Sequence, residues 1–214
     1  MMFKERWIDL TRDLSEDTPV YPGDEPLKSN DKQIGSFILK TITTSQHIGT
    51  HIDWQRHAIK NGEGIEHLPL EQMVGEATKI RVVPKDGILL TRAIEAAYLN
   101  AHAQEKRLLI ETTHGNHYGN DAYFTDFPLF EADFPDFCAK HGIRLIGLDM
   151  PSIGGVGMDE HTLHVSLLAK RIAIVENLTH LNQLTEHVYF VAAPLKMIGA
   201  DGSMTRAFAK NIEN

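Results

Sequence analysis

Short apolar runs, separated by turns rich in glycine and proline, dominate the hydrophobic pattern of this chain. Four of these runs have the length and the aliphatic content of strands. They are Ala77–Val83, Lys106–Thr112, Ile143–Asp149 and Arg171–Glu176. Shorter β-rich stretches precede them at Trp7–Thr11 and Ser36–Thr43. The pattern therefore predicts strands spread along the whole chain.

Helical periodicity lies between these runs. We expect Thr91 to cap a helix, because Ile94 and Tyr98 then recur at helical spacing. A second helix is predicted at 132–141, and a third is predicted to follow a cap at Asp159. Strands that alternate with helices are typical of an α/β fold.

Composition narrows the class of protein. At 214 residues, with 42% hydrophobic and 23% charged residues, the chain suits one α/β domain over residues 1–214. A net charge of −8 argues against nucleic acid as a partner, because phosphate binding needs a basic surface. The one cysteine, Cys138, excludes an intrachain disulfide and a cysteine-based zinc site. No apolar stretch has the length of a signal-peptide core or a membrane span, so we expect a cytoplasmic protein without membrane contact.

Candidate metal ligands are concentrated in the segment His47-Ile-Gly-Thr-His51-Ile-Asp53-Trp-Gln-Arg-His57. Three histidines and an aspartate fall within eleven residues, and imidazole and carboxylate are ligands that zinc and manganese accept. A histidine left over beside such a site is suited to carry a proton. The alternative is a solvated polar loop with one structural histidine. The combination of four titratable side chains favours the metal site.

The spacing of these ligands constrains the backbone of the segment. Donor atoms on one ion lie within roughly 4 Å of one another. A straight strand would separate His47 and His51 by roughly 13 Å, whereas one helical turn brings such positions to about 6 Å. An uninterrupted helix would turn Asp53 away from both histidines. We therefore predict a compact turn or a short helical piece that unwinds near Asp53, with Gly49 supplying the torsion or close approach that it needs.

Two loops have roles that residue chemistry leaves open. The rigid loop Asp17–Pro26 is either a surface connection or a pocket wall with Tyr21 as the aromatic contact. The loop Thr113–Tyr123 contains His114 and His117, but asparagine, glycine and tyrosine dominate it. We favour a substrate-facing or structural loop there over a second metal site, since loops carry specificity more often than extra ions.

His164 and Glu176 are the candidates for distant ligands. His164 lies in the helix predicted after Asp159, and Glu176 ends the apolar strand that follows. A helix and a returning strand can bring the two side chains together, and carboxylates rarely end buried strands unless they are paired or coordinating. The alternative is a half-buried histidine with satisfied hydrogen bonds and a solvated strand end, which residue chemistry by itself slightly favours.

With these residues assembled, the chain resembles the cyclase family of metal-dependent hydrolases, which includes bacterial kynurenine formamidases and isatin hydrolases. The resemblance covers nearly the whole chain. Its specific parts are the motif His47-x-Gly-Thr-His51-x-Asp53 and the spacing His164-x11-Glu176-Asn-Leu. Its supporting parts are Asp9-Leu-Thr, Val20-Tyr-Pro-Gly-Asp24, Leu148-Asp-x-Pro-Ser152, Pro194-Leu-Lys and Gly199-Ala-Asp-Gly-Ser203.

The resemblance implies a fold and a metal site. The fold would be a swivelling β/β/α domain, in which helices flank a mixed sheet. The site would take one or two divalent ions per chain, with zinc favoured and manganese as the alternative. His47, His51 and Asp53 would hold the first ion. Asp53 and Glu176 would bridge to a second ion held by His164.

The resemblance also implies roles beside the metal. His57 matches the acid/base histidine of the family, and Tyr21 falls where an aromatic residue contacts the substrate. Members are commonly homo-oligomers, so a dimer or a larger assembly is expected. The family usually has Asp-x-Pro-x-His, whereas Gln55 stands at the proline position here, between Trp54 and Arg56. Losing the proline releases a fixed torsion between ligand and base and puts the substrate of the better-known members in doubt.

The predicted activity is hydrolysis of an amide-type C–N bond in a small molecule. The substrate would be an arylformamide such as N-formylkynurenine, or a cyclic amide, and the sequence does not distinguish the two. A divalent ion lowers the pKa of bound water and polarises the carbonyl, while His57 would move the proton to the leaving nitrogen. The alternative is a non-catalytic metal- or ligand-binding protein that keeps the fold. Gln55 is the main support for that alternative, and the retained His57 speaks against it.

Overall fold

The structure is a computed structural model that describes residues 6–158 and 160–212. Its strands are β1 (Ile8–Asp9), β2 (Lys28–Ile34), β3 (Phe37–Thr43), β4 (His51–Asp53), β5 (Val74–Arg81), β6 (Ile88–Leu89), β7 (Arg107–Glu111), β8 (Leu129–Phe130), β9 (Leu145–Leu148), β10 (Ala173–Glu176), β11 (His187–Pro194) and β12 (Gly202–Asn211). Its α-helices are α1 (Leu70–Met73), α2 (Thr91–Asn100), α3 (Phe134–Lys140) and α4 (Glu160–Ala169). The predicted cap at Asp159 lies outside the described residues.

Within the described ranges, the main sheet has eight strands in the order β1-β12-β11-β5-β7-β9-β10-β4. The strands β5, β7, β9 and β10 run parallel to one another, and the remaining neighbours are antiparallel. β4 pairs with β10 on one side and with β12 on the other, so the sheet closes into a barrel. The predicted mixed α/β sheet with flanking helices is confirmed.

The central strands are buried on both faces. In β7, Leu108 and Ile110 pack in the core that the helices share, whereas Leu109 packs in a second core on the other face. In β10, Ile174 faces the helices and Val175 faces the second core. Because side chains alternate along a strand, two covered faces give the continuous apolar runs by which these strands are predicted.

The flanking helices agree with the predicted periodicity, but the start of α2 does not agree with the predicted cap. The helix begins at Thr91, whose hydroxyl donates a hydrogen bond to Asp133 instead of accepting one from the first turn. The Glu131 carboxylate accepts the Thr91 N–H at 2.7 Å. A carboxylate from the segment before α3 therefore satisfies a donor at the helix start. The helix predicted at 132–141 is present as α3.

The C-terminal strands β11 and β12 are not predicted by the hydrophobic pattern. The buried positions of β12 are small or polar residues, such as Ser203, Ala207 and Ala209. Small side chains fit the inside of a closed sheet but give no strong apolar signal. Pairing of β12 with β4 nevertheless places the C-terminal strand directly beside His51–Asp53.

The hairpin formed by β2 and β3 is a separate two-stranded sheet. The prediction of a β-rich run at Ser36–Thr43 is confirmed, but every residue of β3 is exposed instead of packing in the barrel. Phe37 and Ile38 are 72% and 71% exposed. Elsewhere, no helix in the described part of the chain has the length and apolar character needed to cross a bilayer.

Candidate metal centre

The segment that carries the predicted ligands is a turn followed by a strand. Residues 46–50 form the predicted turn, and Gly49 has a φ of +59°. A Cβ at Gly49 would lie 2.7 Å from Leu14 Cδ2, so the expected need for glycine is confirmed. The predicted helical piece is wrong, because His51–Asp53 forms β4 between two partner strands. Side chains two apart in a strand share a face, and this puts His51 and Asp53 on the same side without a helix.

A first group of donor atoms surrounds one oxygen of Asp53. Asp53 Oδ1 lies 2.8 Å from His47 Nδ1 and 3.4 Å from His51 Nε2. His51 Nδ1 lies 2.9 Å from the carbonyl oxygen of Gly49, an arrangement in which Nδ1 carries the proton and Nε2 is free to act as a ligand. These separations meet the limit of roughly 4 Å that one ion sets on its donors.

A second group of donor atoms surrounds the other oxygen of Asp53. His164 Nε2 lies 3.4 Å from Glu176 Oε1 and 3.9 Å from Asp53 Oδ2. The other oxygen of Glu176 lies 3.4 Å from His51 Nε2, because Glu176 of β10 pairs in register with His51 of β4. The structure thus brings the predicted distant ligands to the central motif. Glu176 is 3% exposed and His164 is 5% exposed, so the alternative of a solvated strand end is wrong.

Two carboxylate oxygens at this centre lack a hydrogen-bond donor among the described residues. Asp53 Oδ2 and Glu176 Oε1 are buried and accept no hydrogen bond from the described residues. A buried carboxylate is costly unless it is paired, hydrogen-bonded or bound to a metal. Imidazole nitrogens and carboxylate oxygens form a donor set that suits zinc or manganese. The residues present therefore fit one or two divalent ions, and their role as ligands stays a prediction.

The charges of the cluster shift the pKa values of its members. Burial by itself would raise the pKa of Asp53, but His51 and His57 in their protonated forms hold that pKa well below its usual range. For His47, burial by itself would lower the pKa, because it disfavours the charged imidazolium. Hydrogen bonds with Asp201 and Asp53 outweigh burial and raise the pKa of His47 to about 9. Without an ion, the carboxylates therefore draw protons onto the histidines. A divalent ion would compete with those protons for the same nitrogens.

The donor groups lie in a cavity of about 310 Å³ that His57 and Tyr21 also line. The ring centroid of His57 lies 4.1 Å from that of His47 and 5.6 Å from that of His164. Tyr21 packs edge-on against Phe124 with centroids 5.8 Å apart. The loop Asp17–Pro26 is thus a pocket wall, as one of its two predicted roles requires. The acid/base role of His57 and the substrate contact of Tyr21 stay predictions.

Asp201 is a member of the site that sequence reasoning missed. Its Oδ2 atom lies 3.0 Å from His47 Nε2 and 3.5 Å from His57 Nδ1. Hydrogen bonds from these two histidines hold the pKa of Asp201 well below its usual range. The available signal was the motif Gly199-Ala-Asp-Gly-Ser203, but only the pairing of β12 with β4 shows where that motif lies.

The segment Trp54-Gln55-Arg56 departs from the family pattern, and side-chain contacts hold it in place. Gln55 Nε2 donates a hydrogen bond of 3.2 Å to the carbonyl oxygen of Leu168, near the end of the helix that carries His164. Trp54 is fully buried, with the Arg171 guanidinium 5.3 Å from its ring centroid. A side-chain hydrogen bond therefore ties the turn between ligand and base to α4, where the family has a proline torsion.

The loop Thr113–Tyr123 has a structural role in this chain. The ring of His114 is buried and stacks on Tyr123, with centroids 5.1 Å apart and an interplanar angle of 15°. His114 Nε2 lies 2.8 Å from the carbonyl oxygen of Tyr123. Among the described residues, the groups of side chains that could hold an ion include neither His114 nor His117. The substrate-facing or structural loop that we favour over a second metal site stays a prediction, and these contacts agree with the structural role.

Sequence comparisons show the family to which this chain belongs. The sequence model of the Cyclase family, described as "Putative cyclase", matches residues 8–154. The kynurenine formamidase of Bacillus cytotoxicus is 33% identical over 215 residues, which cover 98% of this chain and 99% of that protein. The chain belongs to the cyclase family. The resemblance predicted from the motifs is confirmed.

Solved structures of other proteins share the fold of this family member. One is titled "The Structure Of Potential Metal-Dependent Hydrolase With Cyclase Activity". It has a TM-score of 0.79 and 25% identity, and the match covers 98% of this chain and 99% of that one. Isatin hydrolase A from Labrenzia aggregata has a TM-score of 0.86 and 22% identity, covering 97% and 94%. The swivelling β/β/α fold implied by the resemblance is thus confirmed.

Proposed function

We propose that the protein is a metal-dependent amidohydrolase that cleaves an amide-type C–N bond outside peptides. The observation that carries this proposal is the pair of buried carboxylate oxygens, Asp53 Oδ2 and Glu176 Oε1, which accept no hydrogen bond from the described residues. His164 Nε2 lies within 3.9 Å of both oxygens, and His57 lines the same cavity. Family membership and the amidohydrolase names of the relatives support the same reaction class.

The reaction adds water across the C–N bond and yields a carboxylic acid and an amine. When bound, a divalent ion supplies the Lewis acidity that lowers the pKa of water and polarises a carbonyl. His57 accepts the proton that water loses and delivers it to the leaving nitrogen, so that one residue serves as base and then as acid. Tyr21 faces the cavity from the loop before β2 and contacts the aromatic part of the substrate.

An arylformamide such as N-formylkynurenine is favoured over a cyclic amide as the substrate. The relatives that cover nearly the whole chain at 31% to 33% identity are named kynurenine formamidases. The isatin hydrolase structures are 19% to 22% identical, which supports the shared fold without supporting the shared substrate. The sequence by itself did not separate these two classes.

A substrate panel tests the proposed reaction. Purified protein loaded with zinc, and separately with manganese, is assayed on an arylformamide, on isatin and on an aryl ester. We expect turnover of the arylformamide that a chelator abolishes and that re-added metal restores. Bound metal without turnover of any amide or ester would support the alternative of a non-catalytic binding protein. Turnover that is unchanged in chelator would contradict the metal-dependent mechanism.

We further propose that the protein acts in the cytoplasm as a homo-oligomer, a dimer or a larger assembly, held together through the hairpin of β2 and β3. Isolated two-stranded hairpins are marginally stable in water, and this one exposes Ile34, Phe37, Ile38, Leu39 and Ile42. Together these side chains expose apolar surface on the order of 500 Å², divided between the two faces of the hairpin, and exposed apolar surface of this size is often functional.

A second copy of this chain is the occupant that the hairpin fits best. A twofold axis places the same strand edge of two copies antiparallel, so that unpaired backbone groups of one strand meet those of the other. Sedimentation of the intact protein over a range of concentrations tests this. A concentration-dependent dimer or larger species is expected, whereas a monomer at every concentration would contradict it.

A further inference from the structure

We propose that Asp201 is a positioning residue that orients His57 for proton transfer and steadies the ring of His47. The inference rests on the proposed function and extends it to a residue to which the sequence motifs assign no role. A single oxygen, Asp201 Oδ2, lies within 3.0 Å of His47 Nε2 and 3.5 Å of His57 Nδ1. The residue therefore links the candidate base to a candidate ligand.

The backbone around Asp201 is held against the segment that it serves. The carbonyl oxygen of Asp201 accepts the Trp54 N–H at 3.1 Å, and Gly202 pairs with Asp53 at the start of β12. A Cβ at Gly202 would lie 2.7 Å from His47 Cε1, so only glycine lets the imidazole ring pack this closely against β12. The carboxylate thus projects from a fixed strand end toward both histidines.

Contact with Asp201 determines which nitrogen of His57 is available for catalysis. When Nδ1–H donates to a carboxylate, the imidazole is fixed in the tautomer whose Nε2 is a free proton acceptor. The negative charge also stabilises the imidazolium that forms once the proton has been taken. A separation of 3.5 Å is long for a hydrogen bond, but such contacts often tighten only when substrate binds.

The same carboxylate oxygen determines how His47 faces the predicted metal. His47 Nε2 lies 3.0 Å from Asp201 Oδ2, and a proton held on Nε2 by this contact leaves Nδ1 directed at Asp53 Oδ1, 2.8 Å away. Carboxylates behind metal-binding histidines fix the ring orientation in this way. Asp201 is 42% exposed in its side chain, unlike the buried donors Asp53 and Glu176. It contacts the nitrogen of His47 that points away from them, which favours a supporting role over ligation.

A double-mutant cycle separates positioning from a general structural role. Asp201→Asn keeps the shape and removes the charge, and we expect kcat to fall roughly 10- to 100-fold in excess metal, where the site stays loaded. Asp201→Glu should recover part of the loss. If Asp201 acts through His57, then the double variant Asp201→Asn/His57→Ala should be no slower than His57→Ala by itself. Asp136→Asn, at an exposed pair with Lys170, controls for the lost charge and should leave kcat unchanged.

The outcomes distinguish this inference from the proposed function. Multiplied losses in the double variant, or an unchanged kcat in Asp201→Asn, would overturn the positioning role. Loss of metal from Asp201→Asn that excess zinc or manganese does not restore would show that Asp201 is a ligand instead, which also overturns the inference. If His57→Ala keeps the wild-type rate, the proposed mechanism itself fails, whatever the Asp201 variants do. Thermal unfolding of each variant shows whether it is folded.

Discussion

Two glutamates end buried parallel strands on either side of β9, and their surroundings differ in one respect. Glu111 at the end of β7 is 6% exposed and pairs with the Lys79 ammonium group. Glu176 at the end of β10 is 3% exposed, and its Oε1 atom accepts no hydrogen bond from the described residues. The chain thus places an ammonium group beside one carboxylate and only histidines beside the other, and histidines can either carry a proton or hold an ion. Burial of a carboxylate therefore does not identify a metal site, but a buried oxygen that accepts no hydrogen bond and lies beside histidine nitrogens favours one.

Neutralising Glu176 has the largest expected effect. Glu176→Gln keeps the size of the side chain but removes the charge that a divalent ion requires, so we expect activity to fall to background. Glu111→Gln is the matched control, and it should lower stability while leaving kcat near the wild-type value. Initial rates with excess zinc or manganese measure both variants. Equal losses of activity in the two variants would remove the distinction between the two strand ends.

Removing the candidate base has the next largest effect. His57→Ala should slow turnover by roughly 10²–10⁴-fold while metal content stays at the wild-type level, since the residue lies beside the donor groups and transfers protons. Steady-state kinetics gives the turnover rate, and elemental analysis of the same preparation gives the metal content. Loss of the ion together with activity would instead make His57 a ligand, which its place in one donor group of the structure would also allow.

The hairpin of β2 and β3 is the opposite case to Glu176. It exposes apolar side chains to solvent, whereas Glu176 is a charged side chain that is buried. Phe37→Ser with Ile38→Ser should raise the dissociation constant of the oligomer at least about 10-fold, since each removes a large apolar contact. Val83→Ser is the control, because Val83 is 70% exposed outside the hairpin. Sedimentation measures the change. A weaker oligomer in the Val83 variant, with the hairpin variant unaffected, would place the interface elsewhere.

The smallest expected effect is at Gln55. Gln55→Ala removes the hydrogen bond to Leu168 and should cost about 1 kcal/mol, which corresponds to a fall in Tm of roughly 2–4 °C for a protein of this size. Because the bond joins the turn of His57 to the helix of His164, kcat should fall a few-fold as well. Calorimetry and kinetics test the two parts. A lower Tm with unchanged kcat would make Gln55 a purely structural anchor.

The sequence predicted the parts of the fold whose signals are local. Strands such as β7 and β10 appear as apolar runs because both of their faces are buried. β4 is short and carries polar ligands, so its pattern resembles a turn, and its extended form comes from its pairing with β10 and β12. The hydrophobic pattern also fails to predict β12, because the buried residues of that strand are small. These strands depend on partners that are distant in the sequence.

The residues of the candidate site likewise divide into those that a sequence motif predicts and one that only the strand pairing reveals. The ligands His47, His51 and Asp53 share a short motif, and the family spacing connects His164 to Glu176. Asp201 has no such link, because the register of β12 against β4 brings it to His57. Spacing motifs therefore predict donors that lie close together in the chain, but not the carboxylate that supports them from another strand.

Metal content is the measurement that tests the central claim most directly. The protein is purified without added metal, and its divalent ions are quantified by elemental analysis alongside Glu176→Gln. The arrangement of Asp53, Glu176 and the three histidines around them predicts one or two equivalents of zinc or manganese per chain. The variant should hold fewer ions. Wild-type protein that holds no more divalent metal than the variant, even after incubation with zinc and manganese, would contradict the account.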